Sequence, residues 1–281
     1  MDRQELRKKF FKTSIYIAIY SALVVVLFPI YWMVTASFQD NSELMASPPK
    51  LSPIGGDLEN YFEILTQLKY LTYFKNSLIV SAGAVTLCIF VSILAGYSLS
   101  RVDFKGKDVL MTFILSGQMF PIVAILMSLY TVYRSLGLLN SYIGLILVDV
   151  TLSLPFSIWF LKSFFDTIPK ELDEAAAIDG CSNIRTLFQV VGPLAKPGIL
   201  AVSVYTFMMT WDDFVIALTI MNRDEMRTLP VGIALSFLGE HIHDFAGMMT
   251  LSVIASIPVL IVFITLQRYM ISGLTMGATK G

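Results

Sequence analysis

The chain has little that reacts. It holds two cysteines and two histidines in 281 residues. Cys88 falls inside an apolar run and Cys181 in a distant polar segment, so no disulfide is expected. Neither has neighbours at metal-ligand spacing, and His241-Ile-His243 is a loop pair with ordinary polarity as its simplest reading. Phosphate-loop, G-x-S-x-G and H-E-x-x-H patterns are absent, and no nucleophile–base pair supports an intramembrane enzyme. Charge is scarce as well: 15% of residues are charged and the net charge is −1, which removes any bulk electrostatic case for nucleic acid. No internal inverted repeat stands out.

What fills the chain is apolar surface. Residues of the hydrophobic class make up 56%, and the mean hydropathy is +0.71, too oily for a soluble domain. Crossing the ~30 Å hydrocarbon core takes about 20 apolar residues. Six runs meet that length, at 14–37, 76–100, 109–133, 140–164, 198–221 and 246–270. The expected fold is therefore all-α and polytopic: six transmembrane helices over 14–270, a short N-terminal stretch 1–13, a polar loop 165–197 between spans four and five, and a tail 271–281. An even number of spans puts both termini on one side. Fourteen of the 20 basic residues fall on that side, among them Arg3, Arg7, Arg101, Lys107, Lys170 and Arg185, so it is read as the cytoplasm. The first run has a basic start and a Val34-Thr35-Ala36 that could pass for a cleavage site. At about twice the usual ~7–15 residues of a signal core, it reads as an uncleaved anchor.

The polar loop carries the most information. Glu171, Asp173 and Glu174 open a helix where negative charge favours the dipole, with Pro169 suited to its first turn. Ala175, Ala176 and Ala177 are strong helix formers. Gly180 suits a left-handed stop, and Ser182 suits the cap of a second short helix reaching to about Leu187.

Glu174-Ala175-Ala176, three residues, Gly180, nine residues and then Val190-Val191-Gly192-Pro193 resembles the EAA loop of ABC importer permeases. Val190 stands where that pattern has Ile, and Gly192 where it has Leu, which leaves the exit of the loop with one apolar anchor fewer. The resemblance implies a cytoplasmic coupling helix, with Glu174, Ala175, Ala176, Asp179, Gly180 and Pro193 meeting an ATPase. The tail Gly273-Leu-Thr-Met-Gly-Ala-Thr-Lys280 resembles the ending of maltose-type permeases, which implies that Gly273, Leu274, Gly277 and Lys280 approach the same partner. By composition alone the tail reads as an irregular end.

Polar groups inside the spans are the remaining candidates for a translocation path. Asp149 falls mid-way along the fourth run, where a carboxylate costs ~2.5–3.5 kcal/mol on insertion scales, so it should face protein or water. It reads equally as a pathway or gate residue and as a hydrogen-bonding lock between helices. Trp211-Asp212-Asp213-Phe214 falls in the fifth run, where the permease family often has Trp-Asn-Glu or Trp-Asn-Asp. On a continuous helix, two adjacent aspartates would point in different directions. Gln118, beside Pro121 in the third run, is a weaker candidate that also reads as helix glue. Residues 38–75 form the longest outer segment, with Leu58–Tyr73 read as an amphipathic helix that lies on the membrane or docks an external protein.

The sequence thus resembles the permease subunit of a carbohydrate-uptake ABC importer, a multi-pass protein of a prokaryotic inner membrane. That resemblance implies a second permease subunit, two cytoplasmic ATPase subunits that hold ATP and Mg, an external solute-binding protein and a sugar substrate. The chain itself is expected to bind no cofactor or metal. A glycerol-phosphate or polyol importer stands as the alternative. An ion-coupled secondary transporter using Asp149 or Asp212 is the rival of another class.

Overall fold

The computed structural model describes residues 3–48, 51–52, 56–238 and 244–278, with side chains described over 11–267 of that set. His241 and His243 lie outside the described residues, as does Lys280. Among the described residues every regular element is helical. In chain order these are α1 (Arg3–Ala36), α2 (Asn41–Leu44), α3 (Glu59–Thr66), α4 (Leu68–Arg101), α5 (Lys107–Ser116), α6 (Ile122–Ser135) and α7 (Tyr142–Phe165). There follow α8 (Glu171–Ile178), α9 (Asn183–Thr186), α10 (Gly192–Leu194), α11 (Lys196–Trp211), α12 (Val215–Ile220), α13 (Leu229–Phe237) and α14 (Phe245–Ala278). Among the described residues four helices are long and apolar enough to cross a membrane, and the number rises to as many as six if each of two bent pairs is one span.

The bends mark where the run lengths misled. In the third run the helix stops at Ser116, passes through a tight 3-10 turn and restarts at Ile122, at 92° to its first half. Pro121 explains the stop: it has no N–H to donate, and its ring forces Phe120 into extended backbone (φ −75, ψ 127). The second bend, 83°, lies between Leu194 and Lys196, where Pro197 sits in the first turn of α11. The fifth run is also split: α11 ends at Trp211 and α12 begins only at Val215. The amphipathic reading of Leu58–Tyr73 divides in the same way, into α3 and the first turns of α4, with Gln67 extended between them. At the far end α14 runs through Ala278, so Gly273, Leu274 and Gly277 are helical where composition alone suggested an irregular end. Adding a residue to an existing helix gains a hydrogen bond without a new nucleation cost, which offsets the two glycines.

The chain divides into two compact units. In the first, residues 1–68 and 233–256, the turn after α1 is held by side chains. Asn60 donates to the Ser37 and Gln39 carbonyls (3.2 and 3.1 Å), Tyr61 Oη pairs with Ser37 Oγ at 2.7 Å, and Thr250 Oγ1 donates to the Ser37 carbonyl at 3.1 Å. Asn41 caps the start of α14, donating to Asp244 and accepting from the Ala246 N–H.

In the second, residues 69–232 and 257–281, the core follows the seam between α4 and α7. Toward one end Val80, Leu145 and Val148 pack with Ile216, Ile220 and Val231; toward the other Tyr97, Leu161 and Phe165 pack with Leu187, Val191 and Val202. The helices come close at Gly96, where a Cβ would stand 3.0 Å from the Lys162 backbone nitrogen and 3.1 Å from Leu161 Cβ. Gly96→Val should therefore push α4 off α7 and cost about 1–3 kcal/mol by overpacking. A lowered thermal midpoint of the detergent-purified protein is the expected result, and an unchanged midpoint would show that the seam yields freely.

Candidate functional site

Two polar constructions stand out, both within the second unit. The first is the loop between α7 and α11. Its leading helix, α8, starts with Lys170 at the N-cap and carries Glu171, Asp173 and Glu174 in its first turn. Pro169 sits just before the helix rather than inside it and contributes its carbonyl to the Leu172 N–H. The far end closes as the glycine predicts. Gly180 has φ +80, its N–H donates to the Ala177 carbonyl, and the Cys181 N–H reaches back to the Ala176 carbonyl at 2.9 Å. Ser182 then caps α9 by accepting from the Arg185 N–H.

The exit of the loop is tighter than the missing leucine side chain suggested. Residues Leu187–Val191 form a π-helical turn in which the Gly192 N–H donates to the Leu187 carbonyl. A Cβ at position 192 would stand 2.7 Å from that oxygen, so glycine is what lets the widened turn close. Pro193 follows as the second residue of α10.

The two faces of α8 differ. Asp173 and Ala176 turn inward, with Ala176 buried, while Glu174, Ala175, Asp179 and Gly180 are exposed. Beside them Ile178 is 87% exposed and Ile184 is 66% exposed, large apolar side chains open on a segment rich in charge.

The inward face is fastened to the end of α4. Arg101 Nε pairs with Asp173 Oδ2 at 2.9 Å, both side chains being largely buried, and Tyr97 Oη donates to Asp173 Oδ1. The same guanidinium donates to the Phe165 and Ile168 carbonyls at 3.0 and 3.2 Å, closing the end of α7. Ser100 adds a bond to Asp166 at 2.7 Å. Outside this knot Asp103 accepts from Lys107 and lies 3.7 Å from Lys170. The Lys107 hydrogen bond, with the charge of Lys170 second, holds the Asp103 carboxyl below the usual carboxylate range. The joining of Arg101 and Tyr97 to Asp173 escaped the sequence reading. Their only local signal is the four-residue spacing of Tyr97 and Arg101, which puts both on one helix face.

The second construction is a recess of about 330 Å³ lined by Asp149, Asp212 and Asp213 with Tyr205, Ser153 and Thr210, among apolar residues that include Met209 and Phe214. The break in the fifth run makes it possible. With the helix interrupted, Asp212 and Asp213 no longer point apart, and both reach the same space. Asp213 also serves the backbone: its carboxylate accepts from the Ile216 N–H at 3.2 Å and the Ala217 N–H at 2.8 Å, at the start of α12. Asp149 is buried, and its Oδ2 meets no hydrogen-bond partner. Trp211 is buried away from the recess, stacked on Phe207 at 5.4 Å and edge-on to Phe74 at 5.7 Å. Gln118 is exposed outside it and reaches the Leu152 carbonyl at 3.4 Å. Among the described residues no group of three or more His, Cys, Asp or Glu could hold a metal ion. Asp213→Ala should remove both acceptors and cost about 1 kcal/mol of stability, with Asp213→Asn costing less. Thermal unfolding of the purified variants measures this, and equal midpoints for all three proteins would mean the cap is idle.

Comparison with known proteins joins these features to a family. The trehalose/maltose transport system permease protein MalG of Thermococcus litoralis is 38% identical over 261 residues, covering 92% of this chain and 93% of that one. The diacetylchitobiose uptake system permease protein DasC of Streptomyces coelicolor is 32% identical, with 91% and 92% covered. In fold, the chain matches a bacterial ABC transporter involved in the import of the acidic polysaccharide alginate, with a TM-score of 0.80 over 96% of this chain and 99% of that one at 20% identity. A family model matches residues 88–275, from mid-α4 through both constructions into α14, and the chain belongs to that family, the binding-protein-dependent transport system inner membrane components.

Proposed function

We propose that this chain is a permease subunit of an ATP-driven importer that moves a sugar or oligosaccharide into the cytoplasm by alternating access. The observation that carries the reading is the outward face of α8. Ile178 and Ile184 stand exposed beside Glu174, the alanines and Gly180, on a segment whose charges keep it out of lipid. Such a surface calls for a protein partner. The 38% identity to a trehalose/maltose permease and the 32% identity to a diacetylchitobiose permease support a saccharide as the solute.

In this reading both termini are cytoplasmic and α8 is the coupling helix. It seats in a groove on an ATPase subunit, with the alanines allowing close approach and Glu174 offering an ion pair. ATP and Mg belong to that partner. The tail, helical through Gly273, Leu274 and Gly277, approaches the same partner in this reading. A second permease subunit completes the passage, and an external solute-binding protein delivers the sugar. One fold relative was solved with a periplasmic protein bound to an alginate pentasaccharide, which supports such a partner here. The recess at Asp149, Asp212 and Asp213 lines the path. Among the described residues its walls carry hydrogen-bond acceptors and hydroxyls and no Lys, Arg or His, which favours a neutral polyhydroxyl solute over a phosphate ester.

When ATP closes the ATPase pair, the groove shifts and carries α8 with it. The drive equals the difference in contact energy between the two states. Gly180→Val forces a β-branched residue to φ +80, a strain of about 1–3 kcal/mol. Saccharide uptake by membranes carrying this variant should vanish while the amount of chain in the membrane stays normal; normal uptake would remove Gly180 from the mechanism. Mild-detergent capture of the native complex should recover an ATPase and a second permease chain. Recovery of this chain alone, from a preparation in which a control transporter stays whole, would favour a transporter driven by an ion gradient.

A further inference from the structure

Resting on that function, we propose that Arg101 is a positioning residue that ties the coupling helix to α4 as one mechanical body, so that displacement of α8 reaches the second span directly as well as along the chain. By the chain alone, α8 reaches the membrane through two routes, back to α7 through Asp166–Lys170 and on to α11 through α9, the π turn and α10. Each route includes non-helical or widened backbone, at Ile168–Pro169, Gly180–Cys181 and Leu187–Val191, and such segments give under load. The contact from Asp173 to Tyr97 and Arg101 is different in kind. It joins the first turn of α8 to the last two turns of a 34-residue helix through an ion pair, a phenol hydrogen bond and the stacking of the guanidinium over the Tyr97 ring at 5.8 Å.

The geometry makes this more than a local brace. Arg101 meets two other elements: its two terminal nitrogens donate to the Phe165 and Ile168 carbonyls at the end of α7, and its Nε stands 2.9 Å from Asp173 Oδ2 of α8 as an ion pair. The planar guanidinium fixes the directions of the two hydrogen bonds, and the shielded charge pair holds Asp173 against the same group, so the three helix ends keep one arrangement. The pair is shielded, with side-chain exposures of 11% for Arg101 and 19% for Asp173, which protects it from solvent screening. The other end of α4 is held to the segment before α13. Asn76 donates to the Glu225 and Arg227 carbonyls at 3.0 and 2.8 Å, and Ser77 Oγ accepts from the Leu229 N–H at 2.8 Å. Between these ends Val80 packs with Ile216 and Ile220 of α12, the half-helix capped by Asp213. A push on Asp173 thus has a helical lever leading to the wall of the recess.

The test breaks the tie and then replaces it. Tyr97→Cys with Asp173→Cys, in a Cys88→Ser, Cys181→Ser background, removes the contact and leaves two thiols for a short bis-methanethiosulfonate bridge that reductant reverses. The complete transporter is reconstituted in proteoliposomes, and ATP hydrolysis is read with and without the external binding protein. Unbridged, the stimulation by binding protein should fall by about tenfold while basal hydrolysis and ATPase copurification persist. The bridge should restore the stimulation, and reductant should abolish it again. Asp173→Glu should keep most of it and Asp173→Asn should not, a contrast that decides the matter if the double variant assembles poorly. Stimulation that survives in both the unbridged pair and Asp173→Asn overturns the proposal. So does a bridge that leaves the transporter silent, since the joint must then open during the cycle. Absence of any copurifying ATPase overturns the function itself, and this role with it.

Discussion

Wherever a helix stops, it leaves backbone N–H and C=O groups that need partners, and this chain stops its helices often. Most of what gives the molecule its character answers that constraint. The guanidinium of Arg101 takes up the Phe165 and Ile168 carbonyls where α7 ends. The Asp213 carboxylate takes up the Ile216 and Ala217 N–H groups where α12 begins. Gly180 and Cys181 turn their N–H groups back onto α8, and Gly192 does the same for the widened turn. Charged side chains in an oily protein are therefore concentrated where the backbone is broken, and the breaks are where a transporter bends.

The same economy explains how two distant constructions share one scaffold. α4 is a continuous helix of 34 residues, about 51 Å long. Its two ends are hydrogen-bonded to different loops, and its middle packs on α7 through residues as small as Gly96 and Ala84. Rigid length with close packing suits it to the proposed transmission of motion, while the third and fifth runs are interrupted.

The sequence made much of this legible, for identifiable reasons. Apolar run length located the four helices long enough to span, because twenty or so apolar residues have few other uses. Gly180 and Ser182 were legible because the left-handed φ and the short hydroxyl cap are each met by few residue types. The break after Trp211 was not, because nothing in Trp-Asp-Asp-Phe forbids a helix. It follows from tertiary packing that buries the indole against Phe207 and Phe74 and leaves the carboxylates to face the recess. Pro121 was visible, but a proline can kink a helix or end it, and only its surroundings decide which. Arg101 and Asp173 stand 72 positions apart in sequence, and a single chain carries no signal that pairs them.

The division of α8 into an anchored and an exposed face separates two kinds of change. Asp173 and Ala176 answer to the interior of this subunit, whereas Glu171, Glu174, Ala175 and Ile178 are exposed and, in the proposed docking, answer to the partner. Partner choice can drift on the outer face without disturbing the fold beneath it. A permease built this way could exchange one motor for another through a handful of substitutions along a single helical stripe.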